Sequence, residues 1–312
     1  MKCAVVGPGA LGCLLAASLG SVCDQPVWLV DHNEERAQLL RQQGVVVEKG
    51  GRSERFAVRA TADPAQVGFA DLVLFCVKST AVATTLNHIR PMMAEKSLLL
   101  AFQNGISHLE ELKAFGLPGA WAVAVTAMGA TLLGPGRVRF GGSGLTRLGW
   151  VGAGCGKSAF GLQGAADLLA RTGMAVRVEP EILSHVWNKL LVNVGINGLT
   201  ALYQCPNGGL LAHPEALARM RAAVEEAAMV ARAQGIAITA DPVALTMEVC
   251  KATSANISSM LQDVRKGRAT EISAINGAVV AIAKDLGISV PANERILAEI
   301  KSLEISYLPY FP

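Results

Sequence analysis

The chain has 312 residues, 51% hydrophobic and 17% charged, enough apolar material for two buried cores, which excludes a disordered polypeptide. Its net charge of +3 is small, and basic clusters such as Arg265, Lys266 and Arg268 carry no interleaved aromatics, so nucleic acid is not an expected partner. Seven cysteines without a CxxC pair fit neither a disulfide framework nor a zinc site and point to a reducing, cytoplasmic compartment.

The uncharged stretch from Cys3 to Cys23 is about as long as a membrane span. Gly7, Pro8 and Gly9 break it where a strand would turn into a helix, so no membrane association is expected. Lys2–Val6 reads as that strand and Ala10–Leu19 as that helix. Between them Gly7-Pro8-Gly9-Ala10-Leu11-Gly12 matches GxGxxG. In this context Gly7 permits the tight turn, Gly9 lets backbone approach a pyrophosphate, and Gly12 allows close helix packing; the bland alternative is an ordinary glycine-bearing turn. Asp31, ending the second strand Pro26–Asp31, favours the dinucleotide reading, because an acid there accepts hydrogen bonds from the adenosine ribose.

Glu34–Gln43 follows as a helix, then Val45–Glu48 and Phe56–Ala60 as a hairpin about Gly50-Gly51. Asp71–Val77 and Ser97–Ala101 are further strands, each with a polar residue or turn just beyond it: Lys78, and Gln103-Asn104-Gly105. Ligands of open α/β sheets gather at such strand ends. An exposed lysine and an Asn-Gly turn chosen for its backbone geometry remain the alternatives. Strands around Trp121–Thr126, Val138–Phe140 and Thr146–Leu148, a glycine-rich surface loop from Gly149 to Gly156, and a last strand Ala175–Val178 complete this half. The texture turns helical at Pro180, which sets the expected domains at 1–179, a Rossmann-type α/β dinucleotide-binding domain, and 180–312, an all-α substrate and catalytic domain.

From Val186 to Pro214 the only formally charged side chain is Lys189. Lys189, Asn193 and Asn197 recur every four residues, one polar stripe beside Leu190, Leu191, Val194 and Ile196. Desolvation there would bring the lysine towards neutrality, which suits proton donation to a developing alkoxide; a moderately polar face packed on another helix is the alternative. Cys205-Pro206-Asn207-Gly208 reads as a loop. Ser259 with Gln262 fits a capping box, and Glu271 reads as a first-turn acid of the apolar helix after Thr270. The alanine-rich helix Leu217–Ala233 could supply a homodimer face. The aromatic tail Tyr307–Pro312 reads either as docked on the body or as frayed.

Together GPGALG, Lys78, QNG at Gln103–Gly105, KLLVNVGINGLTAL from Lys189, CPNG at Cys205–Gly208 and SSMLQDVRKGRATEISAING from Ser258 resemble the ketopantoate reductase family over nearly the whole chain. The resemblance implies a reduced nicotinamide cofactor, NADP(H) by family habit, held by Gly7, Pro8, Gly9, Ala10, Leu11, Gly12, Lys78, Asn104, Glu271 and the backbone of Ala130. It implies Lys189 as proton donor, and Asn104, Asn193, Asn197, Asn207 and Ser259 as ligands of a small 2-oxo acid. The family commonly has an arginine just beyond the second strand for the 2′-phosphate of NADPH. Here Asp31-His32-Asn33 stands instead, which keeps NAD(H) open as the cofactor. A mandelate-type 2-hydroxyacid dehydrogenase of the same fold, or a non-catalytic dinucleotide sensor, are the competing functions.

Overall fold

The computed structural model describes residues 1–152 and 161–308. The expected glycine-rich loop lies outside the described residues from 153 onward, as does the aromatic tail from 309. The chain divides into two compact units, Met1–Gln103 with Leu109–Ile182, and Asn104–His108 with Leu183–Pro312.

The elements up to residue 178 run β1 (Cys3–Val6), α1 (Ala10–Gly20), β2 (Trp28–Val30), α2 (Glu34–Gln43), β3 (Val45–Lys49), β4 (Arg52–Phe56), β5 (Arg59–Thr61), β6 (Leu72–Phe75), α3 (Val82–Ile89), β7 (Leu98–Ala101), α4 (Ser107–Phe115), β8 (Ala120–Thr126), β9 (Gly129–Gly134), β10 (Arg137–Gly142), β11 (Thr146–Gly149), α5 (Gly161–Arg171) and β12 (Val176–Val178). Eight strands form one sheet in the order β12-β11-β8-β7-β6-β1-β2-β5, parallel throughout except where β8 meets β11. The central strands β1, β6 and β7 are continuous apolar runs buried at every residue, as strands covered on both faces must be. From β1 the chain goes outward to β2, then crosses back to β6 on the other side. That reversal leaves a crevice beyond the carboxyl ends of β1 and β6, the place where open sheets of this kind bind ligands.

A second sheet, β4-β3-β10-β9, packs on α1. Covered by one sheet on each side, α1 consists of Ala, Leu, Cys, Gly and Ser and carries no charge. The expected hairpin is present, but its second arm is Arg52–Phe56 rather than Phe56–Ala60, and Arg59–Thr61 instead joins the main sheet beside β2. β4 is an exposed edge of charged residues, so no apolar alternation marks it. α2 has clean ends: the Asn33 side chain accepts from Arg36 N at 2.8 Å, and Gly44 stops the helix with φ +69°.

The remaining elements are all helical: α6 (Ile182–Tyr203), α7 (Pro214–Ala233), α8 (Pro242–Ala252), α9 (Ser259–Arg265), α10 (Asn276–Leu286) and α11 (Pro291–Tyr307). α7 packs against α8, α10 and α11, and its Ala216, Ala223, Ala227, Ala228 and Ala231 are fully buried. These alanines of the helix expected to offer a dimer face pack inside this unit, where their small side chains allow helices to approach closely. A buried polar network fixes the packing. Asn276 donates to Asn293 Oδ1 at 3.1 Å, and Asn293 donates to Ala223 O at 2.9 Å and to Glu226 Oε2 at 2.8 Å. Unsatisfied, each of these groups would cost about 1–3 kcal/mol. Among the described residues no helix is long and apolar enough to cross a membrane.

Candidate active site

Beyond β1 the chain turns with Gly7 at φ +96°, its N–H donating to Val30 O at 2.9 Å. A Cβ on Gly7 would sit 2.9 Å from Val77, and one on Gly12 would sit 2.0 Å from the Gly7 carbonyl oxygen, whereas the space around Gly9 is open to 4 Å. Gly9 is the N-cap of α1 and brings no side chain to the first-turn N–H groups, which leaves them for an anion. This cradle fits the pyrophosphate of a dinucleotide. Pro8, Ala10 and Leu11 complete the loop, and Pro8 O accepts a 3.4 Å contact from Cys13 Sγ. Lys78, half-buried, is separated from the end of β6 by Cys76 and Val77 and leads into the short turn Ser79–Ala81, whereas Ala130 lies on β9 of the small sheet, opposite Phe140.

At the end of β2 the arrangement differs from expectation. Asp31 was expected to offer a free carboxylate to an adenosine ribose; instead its side chain is wholly buried. Oδ1 accepts from His32 N at 2.7 Å, Asn33 N at 3.2 Å and Arg36 Nη2 at 2.5 Å, while Oδ2 accepts from Arg36 Nε. A carboxylate has about four lone-pair sites, and a two-pronged guanidinium plus two backbone donors fill them. The partly exposed group at this strand end is thus Arg36, held rigidly by Asp31 and raised in pKa by it. A guanidinium thus stands beyond the second strand after all, on α2 rather than within Asp31-His32-Asn33.

The second cluster lies entirely in the unit that contains Asn104–His108 and the helices. Lys189 is partly buried on α6, with Leu190, Leu191 and Val194 in the core beside it. Burial pulls its ammonium down to about 8, and the Glu271 carboxylate opposes that pull. Asn104 Nδ2 donates to Glu271 Oε2 at 3.1 Å. The approach depends on Gly105, whose φ is +77° and where a Cβ would fall 2.1 Å from Ala274 O. Glu271 itself is not a first-turn acid: it precedes the short turn Ile272–Ala274, and α10 begins only at Asn276. Asn193 is half-buried and Asn197 buried on the same α6 face as Lys189.

Asn207 is buried, donating Nδ2 to Thr253 Oγ1 at 2.8 Å, while its Oδ1 has no hydrogen-bond partner among the described residues. The cap of α9 is Ser258, not Ser259. Ser258 Oγ accepts from Leu261 N at 3.1 Å and from Thr200 Oγ1 at 2.7 Å, which ties α9 to α6 and leaves Ser259 exposed on the first turn. Sequence reasoning passed over two groups. The sequence offers Arg36 only as a flanking cation near the adenosine phosphate and does not show its pairing with Asp31, and His108, fully buried near Lys189, carries only the faint signal of standing four residues after Asn104.

A phosphate cradle on a parallel sheet and a desolvated lysine beside a carboxylate on helices are the equipment of a nicotinamide-dependent oxidoreductase. Models of the families described as "Ketopantoate reductase PanE/ApbA" and its C-terminal counterpart match residues 3–152 and 181–304. The 2-dehydropantoate 2-reductase of Halobacterium salinarum is 34% identical over 97% of this chain and 98% of its own. A PanE/ApbA family ketopantoate reductase from Ralstonia eutropha superposes with a TM-score of 0.88 at 32% identity, covering 98% of this chain and 99% of that one. A D-mandelate dehydrogenase solved with NADH and anilino(oxo)acetate gives a TM-score of 0.88 at 25% identity, with coverage of 98% and 99%. The chain belongs to the ketopantoate reductase family.

Proposed function

We propose that this protein reduces ketopantoate to pantoate. The observation that carries the reading is Lys189, a partly buried cation brought down to about 8 and set against a Glu271 that Asn104 holds in place. At pH 7 such a group is protonated by about ten to one, yet acidic enough to give its proton up to an alkoxide. A reduced nicotinamide, when bound, supplies the hydride that the C2 carbonyl carbon accepts. Lys189 Nζ then delivers a proton to the carbonyl oxygen as charge grows there, and Glu271 keeps the lysine charged beforehand. Asn193, Asn197 and Ser259 orient the carboxylate and hydroxyl of the substrate without adding charge, and the unpartnered Asn207 Oδ1 is an acceptor for its hydroxyl.

Gly7 to Gly12 and Lys78 hold the nucleotide, with Asn104, Glu271 and the Ala130 backbone contributing to it. Arg36 stands in for the family's arginine beyond the second strand and donates to the 2′-phosphate, so NADPH is accepted; because Asp31 already neutralises much of that charge, NADH is used too. Purified protein with ketopantoate and either nucleotide tests the reading by loss of the reduced cofactor. Failure with both, in folded protein that still binds nucleotide, would leave a dinucleotide sensor. Turnover of a bulky aromatic 2-oxo acid in place of ketopantoate would support the mandelate-type reading, which the equal TM-scores keep as the second choice.

A further inference from the structure

His108 stands at the start of α4, in the five-residue segment that carries Asn104, and none of its surface reaches solvent. Both ring nitrogens are buried without a hydrogen-bond partner among the described residues. Two unsatisfied polar atoms on one buried side chain are costly, and folds keep such groups where a third party completes them. Burial holds the imidazole down to about 4, and the neighbouring Lys189 pushes it the same way. The ring is therefore neutral at working pH, with one donor and one acceptor nitrogen. The charged groups acting on this pair are Glu271, which favours the charged lysine, and Lys189 itself; His185 lies one turn earlier on α6.

An ammonium has three N–H donors, and in a dry site each wants an acceptor. In the reading above one serves the substrate oxygen, and the Glu271 carboxylate, which favours the charged lysine, offers an acceptor for a second. We propose that His108 is a positioning residue for Lys189: its neutral imidazole accepts the third N–H, directly or through one water, and so aims the proton-bearing face at the substrate carbonyl. This rests on Lys189 being the proton donor. The imidazole loses and gains no proton in the cycle. Its contribution is orientation and support of the charged lysine, through a contact that can tighten when the site is filled.

The sign of the test follows. Removing an acceptor from a cation lowers the cation's pKa. His108→Leu keeps the volume and dryness and removes the acceptor; His108→Gln keeps an amide acceptor. Lys189 is titrated in full-length protein, free of substrate, by NMR of carbon-labelled lysines, with Lys189→Arg assigning the signal. In His108→Leu the midpoint is expected to fall about one pH unit below wild type and kcat at pH 7 to fall about tenfold, with ketopantoate KM and nucleotide Kd within about twofold. His108→Gln is expected to restore most of both. If His108→Leu does not fold, His108→Met carries the same test. An unshifted lysine midpoint in the apolar variant, or equal losses in the Leu and Gln variants, would overturn the proposal and leave His108 as packing. The titration needs no turnover, so failure of wild type to reduce any 2-oxo acid would count against the proposed function alone.

Discussion

In the parallel-sheet unit the candidate nucleotide site is made of backbone: the Gly7 turn, the bare N-terminus of α1, and a contact between Gly12 and Gly7 too close for a Cβ. In the helical unit the candidate lysine site is made of side chains from three places, Asn104 and His108 on one short segment, Lys189 and Glu271, coupled by charge and one hydrogen bond. The first kind of site fails by steric insult, since an added methyl group at Gly7 or Gly12 is enough. The second fails by electrostatic insult, while size-matched replacements keep the fold. The two halves therefore answer to different mutations and different measurements.

The sharpest way to test that contrast is Lys189→Ala, for which kcat is expected to fall by about 10²–10⁴-fold with nucleotide affinity nearly unchanged, measured by steady-state kinetics and fluorescence titration. Near wild-type turnover would remove Lys189 from the chemistry. The converse is Gly12→Ala. A methyl group 2.0 Å from the Gly7 oxygen forces the loop to move, at a cost of about 1–3 kcal/mol, read as a lower Tm and a nucleotide Kd weakened about tenfold or more. The lysine titration of that variant should stay where it was.

Next comes pH. A general acid must be protonated, so kcat is expected to fall above a pH of about 8, tending to tenfold per pH unit, where an ordinary lysine would hold the rate level to about 10. Glu271 favours the charged lysine, so Glu271→Gln should move this limb to lower pH by about one unit. A limb that stays in place would detach Glu271 from the lysine. The smallest effect concerns cofactor choice. The wild-type preference for NADPH over NADH in kcat/KM is expected to be below about 100-fold, and Arg36→Ala should reduce it by about tenfold. A preference of a thousandfold that survives the substitution would show that Arg36 does not meet the adenosine phosphate.

The same contrast explains what could be read from the chain beforehand. The glycine turn was legible because its residues are contiguous and each has a geometric job within six positions. The Lys189, Asn193 and Asn197 stripe was legible because helical periodicity alone puts them on one face. β4 was placed several residues late because Arg52-Ser53-Glu54-Arg55 shows solvent, not core, to every neighbour. Asp31 looked available because nothing in a sequence says that Arg36, a turn into α2, folds back on it. His108 and Lys189 come within electrostatic reach only through the fold, and the one-residue slip from Ser259 to Ser258 follows from two adjacent serines with equal capping ability.

One consequence follows from the segment Asn104–His108, which comes off β7 yet groups with the helices. A ribosome delivers these five residues long before Lys189 and Glu271, so the candidate lysine site cannot be assembled from the late-emerging stretch alone. A fragment starting at residue 180 would carry the acid and lack both the amide that restrains Glu271 and the imidazole beside the lysine. Recombining this helical part with a foreign nucleotide-binding part at the obvious junction would thus replace a piece of the candidate lysine site along with the sheet, unless the donor brought its own version of that short early loop.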